Sequence, residues 1–73
     1  MQTTDILIHV NEELKKKQQK ELESELRKIE GVIAPRFNKK HLLLVIYNSD
    51  ILNTSKLLSC AKSKGYQAQL VGF

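Results

Sequence analysis

The segment at residues 41–47, HLLLVIY, constrains the fold of this 73-residue chain more than any other. Its side chains are apolar at both alternating sets of positions, which is typical of a strand in the interior of a sheet. We therefore predict that this segment forms the central strand. Because a chain of this length buries only about 60% of its unfolded surface, we predict one domain over residues 1–73.

The segments before this strand predict another strand and a helix. Residues 5–10, DILIHV, alternate in the way that a strand does. A helix is then predicted from an N-cap at Asn11 to Glu30, with Glu12 in its first turn, where the helix dipole favours an acid. Gly31 follows as a residue suited to the end of a helix.

The remaining segments complete a familiar order of elements. Residues 31–38, GVIAPRFN, predict a strand at a sheet edge, because Pro35 cannot donate a hydrogen bond to a second neighbour. Asn53 is the predicted N-cap of a second helix that ends at Gly65, and residues 66–73 alternate as a last strand. The order βαββαβ predicts an α+β ferredoxin-like sandwich, with a four-stranded antiparallel sheet, two helices on one face and the other face open.

Several apolar side chains are predicted to lie on that open face. The alternation of the first and third strands places there the residues that we predict as an interaction surface: Leu7, His9, Leu42, Leu44 and Ile46. A contiguous apolar patch on so small a domain favours a binding surface. The predicted partner is an unidentified protein or a second copy of the chain.

The spacing of apolar residues and glycines resembles that of a known family. Leu22, Leu26 and Ile29 precede the pair Gly31-Val32, and LLSCAKSKGYQAQL carries a Gly-Tyr pair after the second helix. In these features the chain resembles the heavy-metal-associated domain, the fold of copper chaperones and of the N-terminal modules of metal-pumping ATPases. The resemblance covers nearly the whole chain.

The resemblance also implies where a metal would bind, and the chain departs from it there. The family carries Gly-Met-Thr-Cys-x-x-Cys between the first strand and helix, and alignment from Leu22 puts its two cysteine positions at Lys15 and Gln18. A lysine ammonium has no lone pair, and an amide oxygen is a poor ligand for a soft ion such as Cu(I). We therefore predict no metal site in this loop and no cofactor. Whether metal binding remains through Cys60, His9 or His41 is left open, although the alternation predicts that the two histidines lie on different faces.

The charge distribution leaves nucleic acid as a third interpretation. The net charge is +4, and a basic cluster of Arg36, Lys39 and Lys40 lies at the predicted turn between the second and third strands. RNA-recognition domains share the βαββαβ order, but they stack bases on aromatic rings of the open face. The predicted open face of this chain carries no Phe, Tyr or Trp, so nucleic acid is not favoured.

The sequence carries no enzyme signature. No Ser or Cys has a recognisable His and acid partner, and no glycine-rich loop is present to hold phosphate. One cysteine, no signal peptide and no apolar stretch of about 20 residues predict a cytoplasmic protein without a membrane anchor. The predicted function is a small non-enzymatic interaction module on a heavy-metal-associated scaffold. The alternatives are a metal-binding or metal-transport protein with other ligands, and a nucleic-acid binder.

Overall fold

The computed structural model describes residues 2–71 and confirms the predicted fold class. Its six elements follow in the order β1 (Thr3–Val10), α1 (Lys16–Arg27), β2 (Val32–Lys39), β3 (Leu42–Asn48), α2 (Thr54–Ser63) and β4 (Ala68–Leu70). The strands form one antiparallel sheet in the order β2-β3-β1-β4, so β3 is an inner strand as predicted. Gly72 and Phe73, part of the predicted last strand, lie outside the described residues.

The core lies between the sheet and the two helices. Alternate residues of the inner strands, including Ile8, Val10, Leu43 and Val45, have no exposed surface. The side chains that the helices contribute to the same cluster are Leu22, Leu26, Leu57 and Ala61. Both helices therefore cover one face of the sheet. No helix between Gln2 and Val71 is long and apolar enough to cross a membrane.

Helix α1 begins later than the sequence predicts. Its N-cap is Lys15 and not Asn11, and it ends at Arg27 and not at Glu30. The reason is Leu14, which is only 4% exposed and belongs to the core. The chain from residue 11 to residue 15 crosses the end of the core without helical structure, so that Leu14 reaches its position.

The polar groups before Leu14 bind to the start of β4. The Asn11 backbone N–H donates to the Gln67 carbonyl at 2.8 Å, and the Gln67 N–H donates to the Glu12 carboxylate at 2.8 Å. Asn11 and Glu12 have the residue types of a helix N-terminus, but here they are engaged by a residue far along the chain. The contacts of Asn11 and Glu12 with Gln67 therefore replace the helix cap that their residue types predict.

The N-terminus of α1 consequently has no side-chain cap for its first amides. The Gln18 side-chain oxygen accepts a hydrogen bond from the Lys15 N–H at 2.9 Å, but the Lys15 ammonium cannot accept one from the helix. No acidic residue lies in the first turn, which instead carries Lys16 and Lys17. Cations at this end oppose the helix dipole, so the first turn of α1 is intrinsically weak.

Two glycines turn the chain after the helices: Gly65 directly follows the C-cap Lys64 of α2, whereas Gly31 lies beyond the C-cap Lys28 of α1. Gly31 and Gly65 have φ values of 102° and 90°, in the region that other residues seldom adopt. Gly31 is also crowded, because a Cβ atom there would lie 3.0 Å from Ile51 Cγ1. The predicted N-cap of α2 is confirmed as well, since the Asn53 side chain accepts from the Lys56 N–H at 3.0 Å.

The outer edge of β2 is closed to a further strand. Pro35 has no N–H, and two residues later the Phe37 N–H donates to the Glu23 carboxylate of α1 at 3.0 Å. The pairing of β2 with β3 also contains irregularities between Val32 and Ala34 and between Phe37 and Lys39. Missing donors, occupied donors and bulges are devices that prevent edge-to-edge pairing.

We predict that Lys15→Ser stabilises the domain. A serine hydroxyl at the N-cap accepts a hydrogen bond from the first turn of α1, which adds about 1 kcal/mol to the free energy of unfolding. For a domain of this size such a gain raises Tm by about 4–8 °C. Thermal unfolding followed by circular dichroism measures the change.

The control variant is Lys15→Ala, which removes the same positive charge without providing a cap. If serine stabilises no more than alanine does, the gain comes from charge removal and the capping argument is wrong.

Candidate functional site

The five residues predicted as an interaction surface lie together on the open face of the sheet. Across the β1–β3 pair, Leu7 lies opposite Leu44, His9 opposite Leu42, and Asp5 opposite Ile46. They alternate with fully buried neighbours such as Leu43 and Val45, and each of the five is partly exposed. We refer to Leu7, Leu42, Leu44 and Ile46 as the apolar band.

Strand β2 adds charged side chains beside the apolar band. Arg36 lies opposite Leu44, and Lys39 lies opposite Leu42, so both follow the same face. Both are exposed, and within residues 2–71 neither forms an ion pair. We refer to Arg36 and Lys39 as the basic margin of the open face. The sequence analysis placed Arg36 and Lys39 at a turn and did not predict that they flank the apolar band. Their position opposite Leu44 and Leu42 depends on the irregular pairing of β2 with β3.

The third base of the predicted cluster, Lys40, has a different role. Its ammonium group lies 2.8 Å from the Glu13 carboxylate. The hydrogen bond from Lys40, together with its charge, lowers the pKa of the Glu13 carboxyl. The same pair raises the pKa of Lys40. The predicted basic cluster is therefore divided. Lys40 links the β2–β3 turn to the loop before α1, whereas the other two members, Arg36 and Lys39, form no ion pair within residues 2–71.

The two histidines are neighbours, which corrects the prediction that they lie on different faces. The ring centroids of His9 and His41 are 5.8 Å apart, and their planes differ by 20°. His41 precedes β3, in the turn, and its Nδ1 lies 2.9 Å from the Val10 carbonyl oxygen. Because a carbonyl only accepts, His41 Nδ1 carries the proton and its Nε2 is left for other contacts. Strand alternation failed here because the side chain follows this hydrogen bond.

The stacked histidines are a poor arrangement for one metal ion. A metal lies close to the plane of an imidazole that binds it, and two stacked, nearly parallel rings have no common point of this kind. His9 Nδ1 is buried and has no hydrogen-bond partner in the described structure. Between Gln2 and Val71 no group of three His, Cys, Asp or Glu side chains is placed to hold a metal ion.

The loop before α1 supplies no soft ligand. Lys15 is exposed, and the Gln18 side chain is occupied by the Lys15 N–H. Cys60 lies on α2 and is partly buried. Burial, and to a smaller extent the charge of Glu25, raises the pKa of the Cys60 thiol, so this group stays protonated at neutral pH. The residues of the loop before α1 therefore do not fit a soft metal ion.

Comparison with solved structures reveals several close matches in fold. Oxidized MerP from Ralstonia metallidurans CH34 matches with a TM-score of 0.86 and 15% identity, over 97% of this chain and 100% of that one. A copper binding domain from HMA7, a P-type ATPase, matches with a TM-score of 0.85 and 13% identity, over 93% of both chains. A scan against protein-family models finds no match, and a search of curated protein sequences finds none.

A third match has a higher sequence identity than these two. It is the N-terminal domain of a potential copper-translocating P-type ATPase from Bacillus subtilis, solved in the Cu(I)-loaded state. Its TM-score is 0.84 and its identity 25%, over 97% of this chain and 90% of that one. These structural neighbours are heavy-metal-associated domains, so the resemblance drawn from the sequence is confirmed at the level of the fold.

We predict that Glu13 titrates below the ordinary carboxyl value of 4.5 because of Lys40. The folded pKa is lowered, so the pair stabilises the fold above pH 4.5 and its contribution is lost as the pH falls through the lowered pKa. NMR titration of the Glu13 side-chain carboxyl in the wild type and in Lys40→Gln measures the effect. The variant is expected to shift the midpoint upward, toward 4.5. An identical midpoint in both proteins would contradict the pairing.

Proposed function

We propose that this chain is a non-enzymatic protein-interaction module that has the heavy-metal-associated fold and binds its partner through the open face of the sheet. The observation that carries the proposal is the apolar band: four aliphatic side chains that the helices do not cover. Contiguous apolar surface that a soluble domain leaves uncovered is typical of sites of association.

The metal chemistry of the neighbours does not transfer to this loop. Two of the matched structures are described as a copper binding domain and as a Cu(I)-loaded domain. The present chain has one cysteine, and it lies on α2. At the two thiol positions, Lys15 supplies a positive charge and Gln18 an amide that is already hydrogen-bonded. We infer that the scaffold is retained and that the metal ligands are not.

Two further parts of the proposal concern catalysis and the cellular location. Among the described residues no polar or charged residue is buried as a whole, and the His9 Nδ1 atom is the one buried polar side-chain atom without a partner. Because catalytic groups owe their reactivity to burial and to strongly perturbed pKa values, this supports a role without catalysis. We place the protein in the cytoplasm, since its one cysteine has no partner for a disulfide within the chain.

A second candidate function is metal binding through the histidines. The specific observation in its favour is the proximity of His9 and His41, whose rings stack at 5.8 Å. With Nδ1–H donating to the Val10 carbonyl, Nε2 is the nitrogen of His41 through which a neutral ring could bind a metal. A change of ring rotamer is required before the two side chains can converge on one ion.

We predict that neither Cu(I) nor Zn²⁺ binds tightly. Addition of each ion to ¹⁵N-labelled protein, followed by NMR, is expected to leave the amides of residues 11–18 unshifted at stoichiometric metal. The Cys60→Ser variant is the control for adventitious thiol binding. Stoichiometric binding that survives Cys60→Ser but is lost in His9→Gln would make the second candidate the leading one.

We predict that Leu44→Lys abolishes partner binding without unfolding the domain. Leu44 is partly exposed on the open face, so lysine is tolerated there, while its charge disrupts an apolar contact. At the fully buried Leu43, lysine costs several kcal/mol and unfolds so small a domain. Circular dichroism tests the fold, and quantitative affinity capture from the source cells compares partner recovery.

The matched control is Ile51→Lys, since Ile51 is 57% exposed and lies in the turn before α2 rather than on the open face. Recovery of the partner is expected to be lost with Leu44→Lys and kept with Ile51→Lys. Equal recovery with both folded variants would remove the open face from the proposal.

A further inference from the structure

The charges around the apolar band define the chemistry of a partner. Arg36 and Lys39 stand beside Leu44 and Leu42 on the outer strand, and both side chains are exposed. No carboxylate in the described structure pairs with either of them. The neighbouring Lys40, in contrast, is paired with Glu13 at 2.8 Å. The open face thus combines an apolar centre with two positive charges along one side.

The edge of β2 determines how a partner lies on this surface. Pro35 lacks a donor, and the Phe37 N–H is already bound to Glu23 at 3.0 Å. A partner segment therefore cannot extend the sheet along β2 by continuous backbone pairing. Beside the basic margin, a partner segment therefore lies across the face itself, where side chains rather than backbone groups make the contacts.

We propose that the open face binds a protein segment whose apolar side chains are flanked by aspartate or glutamate. This inference rests on the proposed function and specifies the partner. The apolar residues of the segment cover the band, and its carboxylates pair with Arg36 and Lys39. Guanidinium and ammonium groups on the rim of an apolar contact favour acidic partners and accelerate their association.

Two other occupants are less complementary to this surface. A second copy of the chain brings its own basic margin, whereas Asp5 is the one acid facing outward beside the apolar band in the β1–β3 register. The phosphates of single-stranded nucleic acid are complementary to Arg36 and Lys39, but its nucleobases need aromatic rings on which to stack. The inner strands offer it the four aliphatic residues of the apolar band and one aromatic ring, His9, which is already stacked on His41.

Three synthetic peptides test the inference. They share alternating apolar residues, and they differ only in whether the intervening positions are glutamate, glutamine or lysine. Each is titrated into ¹⁵N-labelled protein at low and high salt. The glutamate peptide is expected to shift the amides of Leu7, Leu42 and Leu44 and to bind about fivefold more tightly than the glutamine peptide, as two exposed ion pairs allow.

Charge variants supply the matched controls. The double variant Arg36→Gln/Lys39→Gln is expected to bind the glutamate and glutamine peptides equally, and Lys40→Gln is expected to keep the preference. Equal binding of both peptides by the wild type at the open face would overturn the acidic specificity and leave the proposed function standing. Absence of any shift at the open face with all three peptides also overturns the inference, and the Leu44→Lys capture experiment decides the proposed function separately.

Two further measurements complete the test. Sedimentation of the wild type, with Leu44→Lys as control, is expected to show a monomer, and dimerisation that is lost in the variant would assign the face to a second copy. A single-stranded oligouridine is expected to leave the open-face amides unshifted. Shifts there larger than those of the glutamate peptide would assign the surface to nucleic acid and overturn the inference.

Discussion

The described part of this chain has two helices and four strands, and the two helices cover only one face of the four-stranded sheet. Both helices pack on one face of the sheet, where they bury Leu43 and Val45 of the inner strand. The same strand is apolar at its alternate positions, so Leu42 and Leu44 remain partly exposed on the opposite face. The apolar band follows from a strand that is apolar on both sides in a fold that covers only one of them.

The predictable parts of this structure are those that depend on local patterns. Alternation assigned Ile8 and Val10 to the core, and the residue type of Asn53 was sufficient to identify the start of α2. Gly65 was the right residue at the end of α2, where it follows the C-cap Lys64 and adopts a positive φ. Each of these features is decided by a few consecutive residues, and no distant part of the chain competes with them.

The parts that the sequence did not predict depend on contacts between distant residues. Asn11 and Glu12 resemble a helix start, but Gln67 binds both of them and Leu14 is drawn into the core. The ring of His41 follows a hydrogen bond to Val10 rather than the alternation of β3. The position of the basic margin beside the band depends on the irregular pairing of β2, which no local pattern specifies.

The bond between Glu23 and Phe37 couples helix α1 to the exposure of the sheet edge. When α1 opens as far as Glu23, the carboxylate leaves, and the Phe37 N–H becomes free on the outside of β2. Local opening of this kind is a normal motion of folded proteins, and its cost depends on how stable the helix is. A weak first turn lowers the stability of α1 and so makes this opening more frequent. The chain then presents the unpaired edge of β2 to other chains more often, which raises its tendency to aggregate at high concentration.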